Sequence, residues 1–155
     1  MLQRIQTIYL LAIVVLSGFT LLMPVADLIN KAESLIYVLD FKGIYLSQLN
    51  QFVFQSSTWG LTIIAAIVPI IALYTIFQYK NRVKQIRFSV INFLFMIGYY
   101  IALFIYLWLA GKDLEAEWHL RLVTAFPLIC IVLNYLAIGA IGKDEALVKS
   151  LDRLR

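Results

Sequence analysis

Residues 58 to 77, TWGLTIIAAIVPIIALYTIF, run without one charged side chain. As a helix rising about 1.5 Å per residue, such a stretch is roughly 30 Å long, the thickness of a bilayer's hydrocarbon core. A helix apolar on every side has no face to show to water. Three more stretches share this character, at about residues 5–23, 88–110 and 120–141. The 155-residue chain is 63% hydrophobic and 14% charged, with mean hydropathy +0.88. Soluble domains carry about 25% charged residues, so this chain has too few charges to cover a soluble surface. The first stretch begins like a secretory signal, after Arg4. Its apolar run of about nineteen residues exceeds the roughly 7–15 of a signal core, and Pro24-Val25-Ala26 is a poor cleavage site. It is therefore expected to persist as a span.

These stretches predict an all-α membrane protein, a four-transmembrane-helix bundle in up-down order forming a single domain over residues 1–155. Sidedness follows from the cations. Arg4, Lys80, Arg82, Lys84, Arg87, Lys143, Lys149, Arg153 and Arg155 fall on one side, and Lys31, Lys42, Lys112 and Arg121 on the other. The first set marks the cytoplasm, so both termini and the 79–87 loop are expected inside, with 24–57 and 111–119 outside. The net charge of +4 and pI of about 9.2 are thus topological, and no nucleic-acid partner is expected.

The 24–57 segment is a small outer loop with two readings. Ser34–Phe41 reads as a strand, Lys42-Gly43 as a turn and Ile44–Leu46 as a return strand, a β-hairpin. Alternatively Leu46, Leu49, Phe52 and Val53 line one side of an interfacial helix. Asp113, Glu115 and Glu117 are expected to pair with Arg121 or with Lys31 and Lys42, docking the outer segments together. The tail, KDEALVKSLDRLR, reads as a separate amphipathic helix over 143–155. Leu147, Leu151 and Leu154 form its stripe, and Asp144 and Glu145 suit its start.

No catalytic constellation emerges. His119 is the single histidine and sits at the outer rim, with Glu117 and Arg121 nearby. One histidine and two acids make a weak metal site. Haem would need an axial ligand within the spans, and Cys130 is the only cysteine, so no CxxC site or internal disulfide exists. No catalytic residue, metal or cofactor is predicted. Within the spans, Asn92 and Asn134 are placed to hydrogen-bond across helices, and Pro69 to kink its helix. Gly139 and Gly142, with Ala137 and Ala140, are small enough to permit close helix packing. The predicted interaction surface is cytoplasmic: Lys80, Arg82, Lys84 and Arg87 in the loop, and Leu147, Lys149, Leu151, Arg153, Leu154 and Arg155 in the tail.

The opening QRIQTIYLL, the FQYKNRVKQIR of residues 77–87 and the ending KDEALVKSLDRLR resemble the small four-span proteins of Bacteroidota grouped as the domain-of-unknown-function family numbered 4293. The resemblance implies four helices in a bacterial inner membrane and carries over no activity or ligand residue. The expected role is a non-enzymatic scaffold, accessory subunit or assembly factor, binding anionic lipid headgroups or a membrane or cytoplasmic protein partner. A small-solute transporter or channel is the second reading, with a path near Pro69, Asn92 and Asn134. A membrane enzyme built around His119 is the third.

Overall fold

The computed structural model describes residues 3–48, 51–79 and 81–152. Four helices, α1 (Gln3–Leu22), α2 (Trp59–Phe77), α3 (Arg82–Asp113) and α4 (Phe126–Asp152), stand in a ring in chain order. α1 and α3 each pack against both α2 and α4. All four are long and apolar enough to cross a membrane. α1 and α2 have 20 and 19 residues, close to the length of a bilayer core, whereas α3 has 32. The Tyr100 hydroxyl donates to the Thr124 carbonyl at 2.6 Å, just before α4 begins. Residues 101–113 therefore carry α3 about 20 Å beyond the start of α4.

That projection supports a sheet, and the all-α expectation is overturned. Strands β1 (Ala26–Asn30), β2 (Leu35–Leu39), β3 (Ile44–Gln48), β4 (Gln51–Ser56) and β5 (Glu117–Leu120) form one antiparallel sheet in the order β4-β3-β2-β1-β5. The expected β2–β3 hairpin is there, closed by paired backbone bonds between Asp40 and Gly43 at 2.9 and 3.2 Å. The interfacial helix is not, because Ile44–Gln48 and Gln51–Ser56 pair as strands; Leu49 of that reading lies outside the described residues. The reason lies in alternation. Ala26, Leu28, Tyr37, Leu39, Ile44 and Leu46 are buried, while their neighbours Ile36 and Ser47 are exposed. Period-two burial gives a sheet one dry face, and only a strand can present it.

That dry face meets Leu103, Leu107 and Ala110 of α3 and Leu61 of α2 in a single cluster. A second cluster, Leu10, Ile13, Val68, Ala72, Met96, Cys130 and Ala137, fills the bundle itself. The α1–α2 and α3–α4 connections are joined along β1. Arg121 holds Asp27 through two bonds of 2.8 and 2.7 Å, and Lys31 meets Glu117 at 2.6 Å. The second pair is the docking contact expected from the sequence; the partner of Arg121 is Asp27 rather than an acid of its own loop. Asn30 donates to the Leu114 carbonyl at 3.0 Å, and the Val25 carbonyl accepts from the Thr124 hydroxyl at 2.7 Å.

Two boundaries also move. The fourth helix starts at Phe126 rather than Leu120, since Glu117–Leu120 is taken by β1. The tail is no separate helix, because α4 continues unbroken to Asp152. Asp144 and Glu145 thus sit well inside a helix and compensate no N-terminal dipole.

Candidate functional site

Helical spacing of three and four turns a polar column into the bundle. Buried positions run Gln6, Leu10, Ile13, Ser17 and Thr20 on α1, then Gln85, Ser89, Asn92, Met96 and Tyr99 on α3. On α4 they run Cys130, Asn134, Ala137, Ile141 and Asp144. This is the seam of an antiparallel bundle, but much of it is polar. Apolar residues at these positions would pack as well, so the polar ones mark where the bundle departs from a plain membrane anchor.

Its mid-section holds the two predicted amides, both fully buried. Asn134 Nδ2 donates to the Ser89 carbonyl at 2.9 Å, across α3 and α4. Asn92 makes no such bond: its Oδ1 and Nδ2, with Ser89 Oγ and Asn134 Oδ1, are buried without a partner. One turn toward the sheet, Ser17, Thr20, Ala65, Met96, Tyr99 and Cys130 line a cavity of about 20 Å³, enough for roughly one water. Pro69 lies inside α2. Lacking an N–H, it leaves the Ala65 carbonyl without its helical bond, at the wall of this cavity.

The unequal bonding of the two amides gives opposite expectations. Asn92→Leu removes buried polar atoms that have no partner, and is expected to stabilise the bundle by about 1–2 kcal/mol. Asn134→Leu removes a made interhelical bond, and is expected to cost about 1 kcal/mol. Unfolding midpoints in a detergent-denaturant titration should therefore move in opposite directions. Two losses of equal size would contradict the assignment.

The end of the bundle away from the sheet is tied by a charge. Asp144 is 6% exposed, accepts from Gln6 Nε2 at 3.0 Å, and lies 3.8 Å from Arg82 Nη1. One carboxylate thus joins α1, α3 and α4. Sequence reasoning placed Arg82 in a basic loop and Asp144 in a tail. The structure puts both on helices, facing each other. Gln6 and Gln85 were missed, although their phase with Leu10 and with Ser89–Asn92 points them inward.

Of the predicted interaction surface, Lys84 and Arg87 are exposed on the first turns of α3, and Arg82 is half-buried there. Leu147, Lys149 and Leu151 lie on the last turns of α4. Lys80, Arg153, Leu154 and Arg155 fall outside the described residues. Gly139 and Gly142 have no neighbour within 4 Å of where a Cβ would stand, so they do not bring helices together. At the sheet, Glu117 and Arg121 are each taken by a partner from β1 or the turn after it. Lys31 holds Glu117 and draws its carboxyl below the ordinary carboxylate value through a hydrogen bond and its charge. Asp27 holds Arg121 and raises its guanidinium further through a hydrogen bond. Among the described residues, no cluster of three or more His, Cys, Asp or Glu is placed to hold a metal.

A family model described as a domain of unknown function, DUF4293, matches residues 2–154, and the chain belongs to that family. No curated protein matches it.

Proposed function

We propose that this DUF4293 member is an integral protein of the bacterial inner membrane, with both termini cytoplasmic, that acts as a non-enzymatic scaffold, accessory subunit or assembly factor. The observation that supports this reading is the cytoplasmic end of α4. The helix runs on from Asp144 to Asp152 without a break, so about two turns project past the carboxylate that ties the bundle together. Arg82 of α3 lies 3.8 Å from that carboxylate, and Lys84 and Arg87 are exposed on the first turns of the same helix. A partner gripping the projecting helix pulls directly on Asp144, and so on the contacts among three of the four spans.

Truncation after Asp144 tests this reading. Removing residues 145–155 is expected to leave membrane level and thermal stability close to those of the full chain while abolishing discrete crosslinked adducts formed in cells. An unchanged adduct pattern in a stably inserted truncation would contradict the docking role.

A small-solute transporter is the second reading. It draws on the unpartnered Asn92 amide and the neighbouring 20 Å³ cavity. It requires Asn92→Leu to abolish a solute flux in reconstituted vesicles, which the scaffold reading does not.

A further inference from the structure

We infer that a pocket between α1, α2 and α3, at the end away from the sheet, binds the phosphate of an anionic phospholipid headgroup. The inference rests on the membrane placement proposed above but not on the docking role. The pocket has a volume of about 510 Å³. Gln6, Thr7, Tyr79, Arg82 and Gln85 line it together with Ile8, next to Thr7 on α1, and Ile76, one turn before Tyr79 near the end of α2.

Three independent features make it an anion site. Gln85 is 4% exposed as a residue, and its side chain lines the pocket. Its amide N–H can donate to a ligand oxygen held in the pocket. Arg82 meets Asp144 only at 3.8 Å, through one nitrogen, which leaves most of its five donors for another acceptor. Planar guanidinium suits a phosphate better than a point charge does.

The third feature is the start of α3 itself. Asn81 makes no side-chain capping bond, and the first turn holds no acidic residue. The open N–H groups and the positive end of a long helix therefore lie at the same end of α3 as Arg82. Lys84 and Arg87 add positive charge along the helix. Asp144, which lines the groove between α1 and α4, touches this lining through Gln6 at 3.0 Å and Arg82 at 3.8 Å, so a bound phosphate shares the guanidinium with it. Ile8 and Ile76 decide the source of the phosphate. They continue the pocket into the apolar layer, where a lipid's acyl chains begin and a free anion has nothing to bind.

The test uses the full chain in carbonate-washed membranes, then in nanodiscs of phosphatidylcholine with a minority of phosphatidylglycerol. Native mass spectrometry reads which lipid stays on the released protein. One phosphatidylglycerol per chain should be retained in preference to phosphatidylcholine. Retention should fall about tenfold or more in Arg82→Gln and in Gln85→Leu, the loss expected for one charge-assisted or buried bond. Gln85→Glu, which keeps the size and repels phosphate, serves if the leucine variant does not fold. Lys84→Gln, outside the pocket, should retain the lipid.

Equal retention of both lipids, or full retention in the Arg82 and Gln85 variants, would overturn the site while leaving the membrane placement intact. Displacement of the lipid by inorganic phosphate would also overturn it, because the pocket would then serve a soluble anion. Release of the protein by carbonate would overturn the membrane placement and the inference together.

Discussion

Leu28→Ala is expected to destabilise the protein by about 3 kcal/mol, within the 2–5 range for truncating a buried leucine. Leu28 sits on β1, is fully buried, and belongs to the cluster that joins the sheet to α2 and α3. β1 is flanked by β2 on one side and β5 on the other, so its residues hold the α1–α2 and α3–α4 connections at once. Across the sheet, Leu28 stands opposite Tyr37 on β2 and Trp118 on β5. Little in this neighbourhood can collapse into the space left, because the ladder on either side fixes the strand spacing. Hydrogen exchange should show faster exchange across β1, β2 and β5 together, with the α1–α4 contacts far less affected. Exchange confined to β1 would mean that the two connections fold separately.

Gly43→Ala is expected to cost about 2 kcal/mol, by the mechanism of overpacking. A Cβ at this position would lie 2.4 Å from the Ser56 carbonyl oxygen and 2.7 Å from the Phe54 ring. The ring can move; the carbonyl is backbone, and the β3–β4 register must shift to make room. That register already has an irregularity at Ile44/Tyr45. Gly139→Ala is the control. Nothing lies within 4 Å of its Cβ position, and alanine is the better helix former by about 1 kcal/mol, so this change should be neutral or stabilising. Thermal unfolding of the two variants in the same detergent separates the cases. A neutral Gly43→Ala would show that β4 is not held against the turn as described.

The four long apolar helices were legible because the signal is local: bulk apolarity over about twenty residues needs no partner to be read. The β2–β3 hairpin was legible for the same reason, since Lys42-Gly43 marks its turn within the segment itself. β5 was not. All four of its residues are exposed, so it has no alternation to read, and it becomes a strand only through pairing with β1, some ninety residues earlier in the chain. β1 begins two residues after Pro24 and was passed over as the entry to a loop.

The polar seam was half legible. Asn92 and Asn134 stood out because amides are rare in apolar runs. Gln85 and Asp144 lay in charged stretches that read as loop and tail. Their helical phase was the available clue, as Asn134, Ala137, Ile141 and Asp144 keep one face. The ion pair between Lys31 and Glu117 followed from charge alone, whereas Arg121 chose Asp27 because the strand pairing sets them side by side. Charge says which residues can pair, and the sheet register decides which do.

Topology is the central claim, and cysteine labelling with a membrane-impermeant maleimide tests it most directly. The native thiol, Cys130, is fully buried and should stay silent. Ser47, on β3, and Asn81, at the start of α3, are both exposed. In intact spheroplasts Ser47→Cys should label fully and Asn81→Cys should not; in inverted vesicles the pattern should reverse. Labelling of both positions from the same side, or of Asn81→Cys from outside alone, would contradict a four-span protein with its sheet outside and its termini in the cytoplasm.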